Sequence, residues 1–154
     1  MIQRLLPTSS AQPAWLRAGI RQIETRLQAA SSTPLIDLAG LATARLALAV
    51  APHARQVVVL AGPGNNGGDG LEAALQLHRA GMRVQVQLLG DPSSLPPDAR
   101  RALARARQAG VPLQTGWPAA WPDMDVQDLC IDALLGIGAT RAPEEIGRAS
   151  CRER

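Results

Sequence analysis

Five glycines fall within nine residues, Gly62-Pro63-Gly64-Asn65-Asn66-Gly67-Gly68-Asp69-Gly70, between an apolar run and an amphipathic stretch. Glycine loses more freedom on folding than any other residue. Such a density therefore marks backbone that takes positive φ or is closely approached. Ahead of it, Val57-Val58-Val59-Leu60 has the continuous β-branched character of a strand buried on both faces. Behind it, residues 69–80 set Leu71, Ala74, Leu75 and Leu77 inward on a helix, with Gly81 as the C-terminal stop. A strand that leaves a glycine-rich turn as a helix offers backbone N–H groups and a positive helix end to an anion, and a pyrophosphate is the natural candidate. Asn65 and Asn66 add amide carbonyls for a hard cation or a ligand hydroxyl. Asp69 is placed to act as the N-cap of the helix.

The rest of the chain repeats the alternation. Trp15, Leu16, Ile20, Ile23 and Leu27 recur at helical spacing over 14–30, and a break at Ser31 to Pro34 precedes a second apolar helix over 35–50, ended by Ala51-Pro52. Val84, Val86 and Leu88 alternate as a strand, and Pro97-Asp98 opens a helix that stops near Gly110. Val111 to Leu113 reads as a short strand, 115–127 as a loop, and Leu129 to Ala133 as a further buried strand before a second glycine-bearing turn at 136–138. This order predicts an α/β fold: a Rossmann-like three-layer sandwich with a mainly parallel sheet, truncated at its C-terminal side. Ligands bind such sheets beyond the carboxyl ends of the strands, so the two glycine turns should face one crevice.

Composition excludes several alternatives. All 16 basic residues are Arg, so a phosphate-binding P-loop, which needs Lys, is absent. The formal charge of +3 falls to +1 without the last nine residues, Ile146 to Arg154 (IGRASCRER), and favours neither nucleic acid nor a membrane surface. With a suitable codon choice those nine residues resemble read-through into a sequencing-library adapter. They follow Glu144-Glu145 with no turn signal, periodicity or cap. Residues 146–154 are therefore expected to be foreign to the gene, the domain to occupy 1–145, and the native protein to continue. Cys151 then carries no meaning. Two cysteines, no signal peptide and no apolar run of transmembrane length lead to a cytoplasmic expectation.

Gly62-x-Gly64-x-x-Gly67 also satisfies the dinucleotide fingerprint, with Asp91 near the place of the ribose-binding acid, so an NAD-dependent dehydrogenase is one reading. The whole string GPGNNGGDG is more specific. It resembles the signature of the NAD(P)H-hydrate epimerase family, the YjeF N-terminal domain. Thr33 to Gly40 (TPLIDLAG) is similar to that family's PxLMExAG helix, Gly81-x-x-Val84-x-Val86 to its second strand, and Asp128 to Gly138 (DLCIDALLGIG) to its DLIVDALLGTG segment.

The resemblance implies that Asn65, Asn66, Gly67, Gly68 and Asp69 bind hydrated NADH or NADPH. The later turn, Gly136, Ile137, Gly138, Ala139, Thr140, Arg141 and Ala142, would join them. It also implies a potassium ion held by Asn66 and Asp132, an oxygen donor set that suits a hard cation. Ile137 stands where the family has Thr and removes a hydroxyl. The family's catalytic Asp, in a D-x-P-S-G stretch, lies past the chain end, so this chain is expected to be an inactive fragment. The implied reaction is epimerisation of the R and S forms of the hydrated nucleotide, which moves a proton at the ring carbon. Implied partners are a second copy in a homodimer and a fused or separate dehydratase. A non-catalytic nucleotide- or RNA-binding scaffold of the same fold is the alternative.

Elsewhere the chain invites plain readings. His53 is a loop residue, and His78 sits at a favourable helix C-terminus. Arg100, Arg101, Arg105 and Arg107 form a solvated face, Cys130 is inert core, and Trp117 and Trp121 pack the long loop.

Overall fold

A computed structural model describes residues 16–120 and 123–139. The order is α1 (Arg17–Ala30), α2 (Leu35–Val50), β1 (Val57–Ala61), α3 (Asn65–Arg79), β2 (Val84–Leu88), a 3-10 turn (Pro92–Ser94), α4 (Pro97–Gln108), β3 (Leu113–Thr115) and β4 (Leu129–Ala133). The four strands form one parallel sheet in the order β3-β2-β1-β4. Val59 of β1 lies between Val86 of β2 and Ile131 of β4. This is the expected Rossmann-like α/β fold, and β1 is buried along its full length as its composition requires.

The main core lies on one face of the sheet. Val57, Val59 and Ala61 pack there with Leu71, Leu75 and Leu77 of α3, flanked by Ile36 and Ala44 of α2 and Ala99, Ala102 and Leu103 of α4. The alanines set these helices close together. Val58 and Leu60 form a smaller cluster with Leu89 and Leu134 on the opposite face. Gly81 (φ +84°) and Gly110 (φ +77°) follow the ends of α3 and α4 in the left-handed conformation expected of such stops. Among the described residues, no single helix is long and apolar enough to cross a membrane.

Several expectations are corrected. The helix α3 begins at Asn65, so the glycine-rich segment is largely its first two turns; Gly64 is the N-cap and Asp69 lies inside the helix. Low helix propensity concealed this start. The strand β3 covers Leu113–Thr115 instead of 111–113. Of the described strands β4 comes last in the order; it alternates partly buried and exposed positions up to the buried Ala133, and among the described residues Cys130 is exposed instead of inert core.

Arg101 and Arg105 do not lie on a purely solvated face. They pair with Asp37 at 3.0 and 2.9 Å, and Arg105 reaches the fully buried Glu72 at 3.2 Å. Trp117 keeps 46% of its surface exposed. Trp15, Trp121, Thr140, Arg141, Ala142 and the tail 146–154 lie outside the described residues.

Candidate functional site

Three backbone segments meet at the carboxyl end of the sheet without side chains between them. The Gly62 amide donates to the Ala133 carbonyl at 3.0 Å, joining the ends of β1 and β4. A Cβ on Gly62 would stand 1.9 Å from the Leu134 carbonyl oxygen, and one on Gly67 would stand 1.9 Å from the Gly62 carbonyl oxygen. Neither glycine takes positive φ. Close approach, not turn geometry, is what demands them. Gly68 is likewise a packing residue: a Cβ there would meet Ile36 Cδ1 at 2.3 Å and Ala99 at 2.9 Å.

This junction opens onto a cleft of about 740 Å³. Asn65, Asn66 and Asp69 line it from α3, and Gly136, Ile137 and Gly138 line it from the turn after β4, so the two glycine-bearing turns do face one crevice. The Asn66 amide donates to the Leu135 carbonyl at 3.3 Å, and a Cβ on Gly136 would lie 3.0 Å from Asn66 Cβ. The N-cap of α3, Gly64, supplies no side-chain acceptor, so the helix starts without a side-chain cap beside the cleft-lining Asn65 and Asn66.

Asp69 is half-buried on the cleft wall. Burial, with the Glu24 carboxylate as a second cause, pushes its pKa up to about 6. A carboxyl so placed changes protonation near neutral pH and can hold or accept a proton. Asp132, in contrast, lies on the opposite face of the sheet in register with Leu60, outside the cleft lining, where its Oδ1 accepts the Leu134 amide at 2.9 Å. Its neighbour Cys130, exposed by surface area yet hemmed in around the sulfur, has its thiol pKa raised by partial desolvation and by the Asp132 charge.

Asp91 does not serve as a ribose acid. Its carboxylate accepts the Ser93 amide at 2.8 Å and the Ser93 hydroxyl at 2.6 Å, which holds its pKa below the ordinary value and caps the 3-10 turn. The dehydrogenase reading loses its second element there.

One wall of the cleft was not anticipated. Arg21, Glu24 and Gln28 of α1 line it, and Asp98 enters from α4. The spacing i, i+3, i+7 on α1 is the signal that could have disclosed a polar face turned inward.

A parallel sheet whose crevice is walled by a glycine-tight helix start and a second strand-end turn defines a Rossmann-like α/β domain with its site at the carboxyl edge. Residues 32–149 match the family described as YjeF-related protein N-terminus, and the chain belongs to that family. It is 43% identical over 122 residues to an NAD(P)H-hydrate epimerase of Bordetella pertussis, covering 79% of this chain and 51% of that one. Over 89 residues it is 48% identical to an NAD(P)H-hydrate epimerase of Rhodobacter capsulatus, covering 56% of this chain and 40% of the other. A bifunctional NAD(P)H-hydrate repair enzyme Nnr of Escherichia coli is 35% identical over 144 residues, 90% of this chain and 27% of that one. The chain thus spans about half the length, or less, of these curated relatives. Among solved structures, yeast ynu0 (YNL200c) shares the fold with a TM-score of 0.71 at 23% identity, over 85% of this chain and 60% of that one.

Proposed function

We propose that this domain epimerises the R and S forms of hydrated NADH and NADPH within a longer cytoplasmic protein. The observation that carries the reading is the convergence of Asn65, Asn66 and Asp69 with Gly136, Ile137 and Gly138 on one cleft. The uncapped start of α3 suits the pyrophosphate. Asn65 and Asn66 offer amide groups to ribose or carboxamide, and the tight packing of Gly67 and Gly68 brings the helix backbone to the substrate. Ala139, Thr140, Arg141 and Ala142 extend the second turn by family resemblance. Asp69 holds or moves a proton near the hydrated ring, where inversion of the hydroxyl-bearing carbon requires one.

Asn66 and Asp132 would hold a potassium ion. The support is their donor type, an amide and a carboxylate oxygen as a hard cation takes, and their bonds to one segment, Asn66 to the Leu135 carbonyl and Asp132 to the Leu134 amide, although Asp132 lies outside the cleft lining. Bound there, the ion would supply fixed positive charge beside the second turn. The bifunctional name of the Escherichia coli relative supports a companion repair activity, which we read as a dehydratase that uses one epimer. Association as a homodimer belongs to the same reading.

The test is direct. The full-length protein is given a single epimer of hydrated NADH, with potassium or with choline as the only monovalent cation, and the epimer ratio is followed by chromatography. Potassium-dependent approach to a mixture supports the reading. Binding of the hydrated nucleotide without interconversion would replace it with a scaffold role.

A further inference from the structure

The cleft has an uneven distribution of charge. Its described lining holds three carboxylates, Glu24, Asp69 and Asp98, and one cationic side chain, Arg21. Arg21 makes no ion pair or hydrogen bond through its guanidinium among the described residues, although Glu24 is only three positions away on the same helix. Its position is not left to chance. One turn earlier, Arg17 Nη2 donates to the Gly138 carbonyl at 3.3 Å and ties α1 to the turn after β4. Residues four apart share a helix face, so this tie carries Arg21 to the same turn, where its Nη2 lies 4.0 Å from the site of a Cβ on Gly138.

We infer that Arg21 is a substrate-binding residue that takes a phosphate group of the dinucleotide from across the cleft. This rests on the epimerase reading of the site. A substrate with at least two negative charges, entering a cleft with three carboxylates, has two positive features to meet, the start of α3 and Arg21. The guanidinium fork matches phosphate oxygens in a bidentate way.

The experiment compares the full-length protein with Arg21→Gln and Arg21→Lys. Loss of a charge-assisted hydrogen bond is expected to raise KM for hydrated NADH by about tenfold or more in Arg21→Gln, with kcat within about twofold. Arg21→Lys should fall between. Because the side chain is exposed and has no partner among the described residues, the melting temperature should not move. An equal rise for hydrated NADH and NADPH assigns Arg21 to the pyrophosphate; a rise for NADPH alone assigns it to the 2′-phosphate. A KM unchanged for both hydrated nucleotides beside an active wild type overturns the inference and leaves the epimerase reading standing. Should the wild type not epimerise, calorimetric titration with inorganic pyrophosphate decides: binding weakened in Arg21→Gln supports the anion site, and equal or absent binding in both proteins overturns it.

Discussion

Gly40 of α2 and Glu72 of α3 are in backbone-to-side-chain contact: a Cβ on Gly40 would stand 2.4 Å from Glu72 Cβ and 2.9 Å from the Ala73 amide nitrogen. That contact sets the distance between the two helices that carry one wall of the cleft. Gly40→Ala gains helix propensity of about 1 kcal/mol, but overpacking at this contact costs more. The expected net destabilisation is about 2 kcal/mol. Urea unfolding should show a lower midpoint with an unchanged slope; an equal or higher midpoint would refute the close packing.

Glu72 is fully buried and Arg105 is its ion-pair partner, while Arg105 also bonds Asp37 at 2.9 Å. Removing one member of a buried pair strands the other. Arg105→Ala is therefore expected to cost about 3 kcal/mol, and the double variant Glu72→Leu with Arg105→Met to recover much of it. A double-mutant cycle without coupling would show that the pair holds nothing together.

The pH dependence of Asp69 has a definite sign. Between 3.8 and about 6 the folded protein keeps a proton on Asp69 that the unfolded chain has released. Stability from this group therefore falls as pH rises through that window, and the ionised carboxylate opposes folding above it. Asp69→Asn should stabilise the protein at pH 8 by about 1–2 kcal/mol, allowing for solvent screening, and make no difference below the window. Denaturant midpoints at several pH values give the answer, and a benefit that grows toward acid would contradict it.

Asp91→Ala distinguishes a cap from a ribose ligand. With its carboxylate occupied by Ser93, the substitution should leave NAD and NADP affinity unchanged in fluorescence titration. A marked loss of NAD affinity would restore the dehydrogenase fingerprint.

Local pattern was enough for the central strand, since Val57 to Ala61 can only be buried on both faces, and for the stops at Gly81 and Gly110. It was not enough for Leu129 to Ala133. That segment has a similar composition, but it comes last among the described strands, and Cys130 and Asp132 are exposed there. Order within a sheet is not written in any one strand. The start of α3 was hidden for the opposite reason: packing demanded glycines where propensity argues against a helix. The partners of Arg101 and Arg105 lie 64 and 68 residues away at Asp37, so no window along the chain reveals them. The two turns of the site were legible because each carries its own glycines, whereas the α1 wall was not, because Arg21 and Glu24 look like any exposed helical charges.

The contacts of Gly62 with Leu134 and of Gly67 with Gly62 have a mechanical consequence. At these two points the cleft turns are geared together main chain to main chain, and the Asn66 side chain adds a bond to the Leu135 carbonyl. A displacement of the turn after β4 must drag the head of α3 with it. Exchange of one turn for that of a distant relative should therefore fail unless the other is transplanted too, and the pair behaves as a single heritable part.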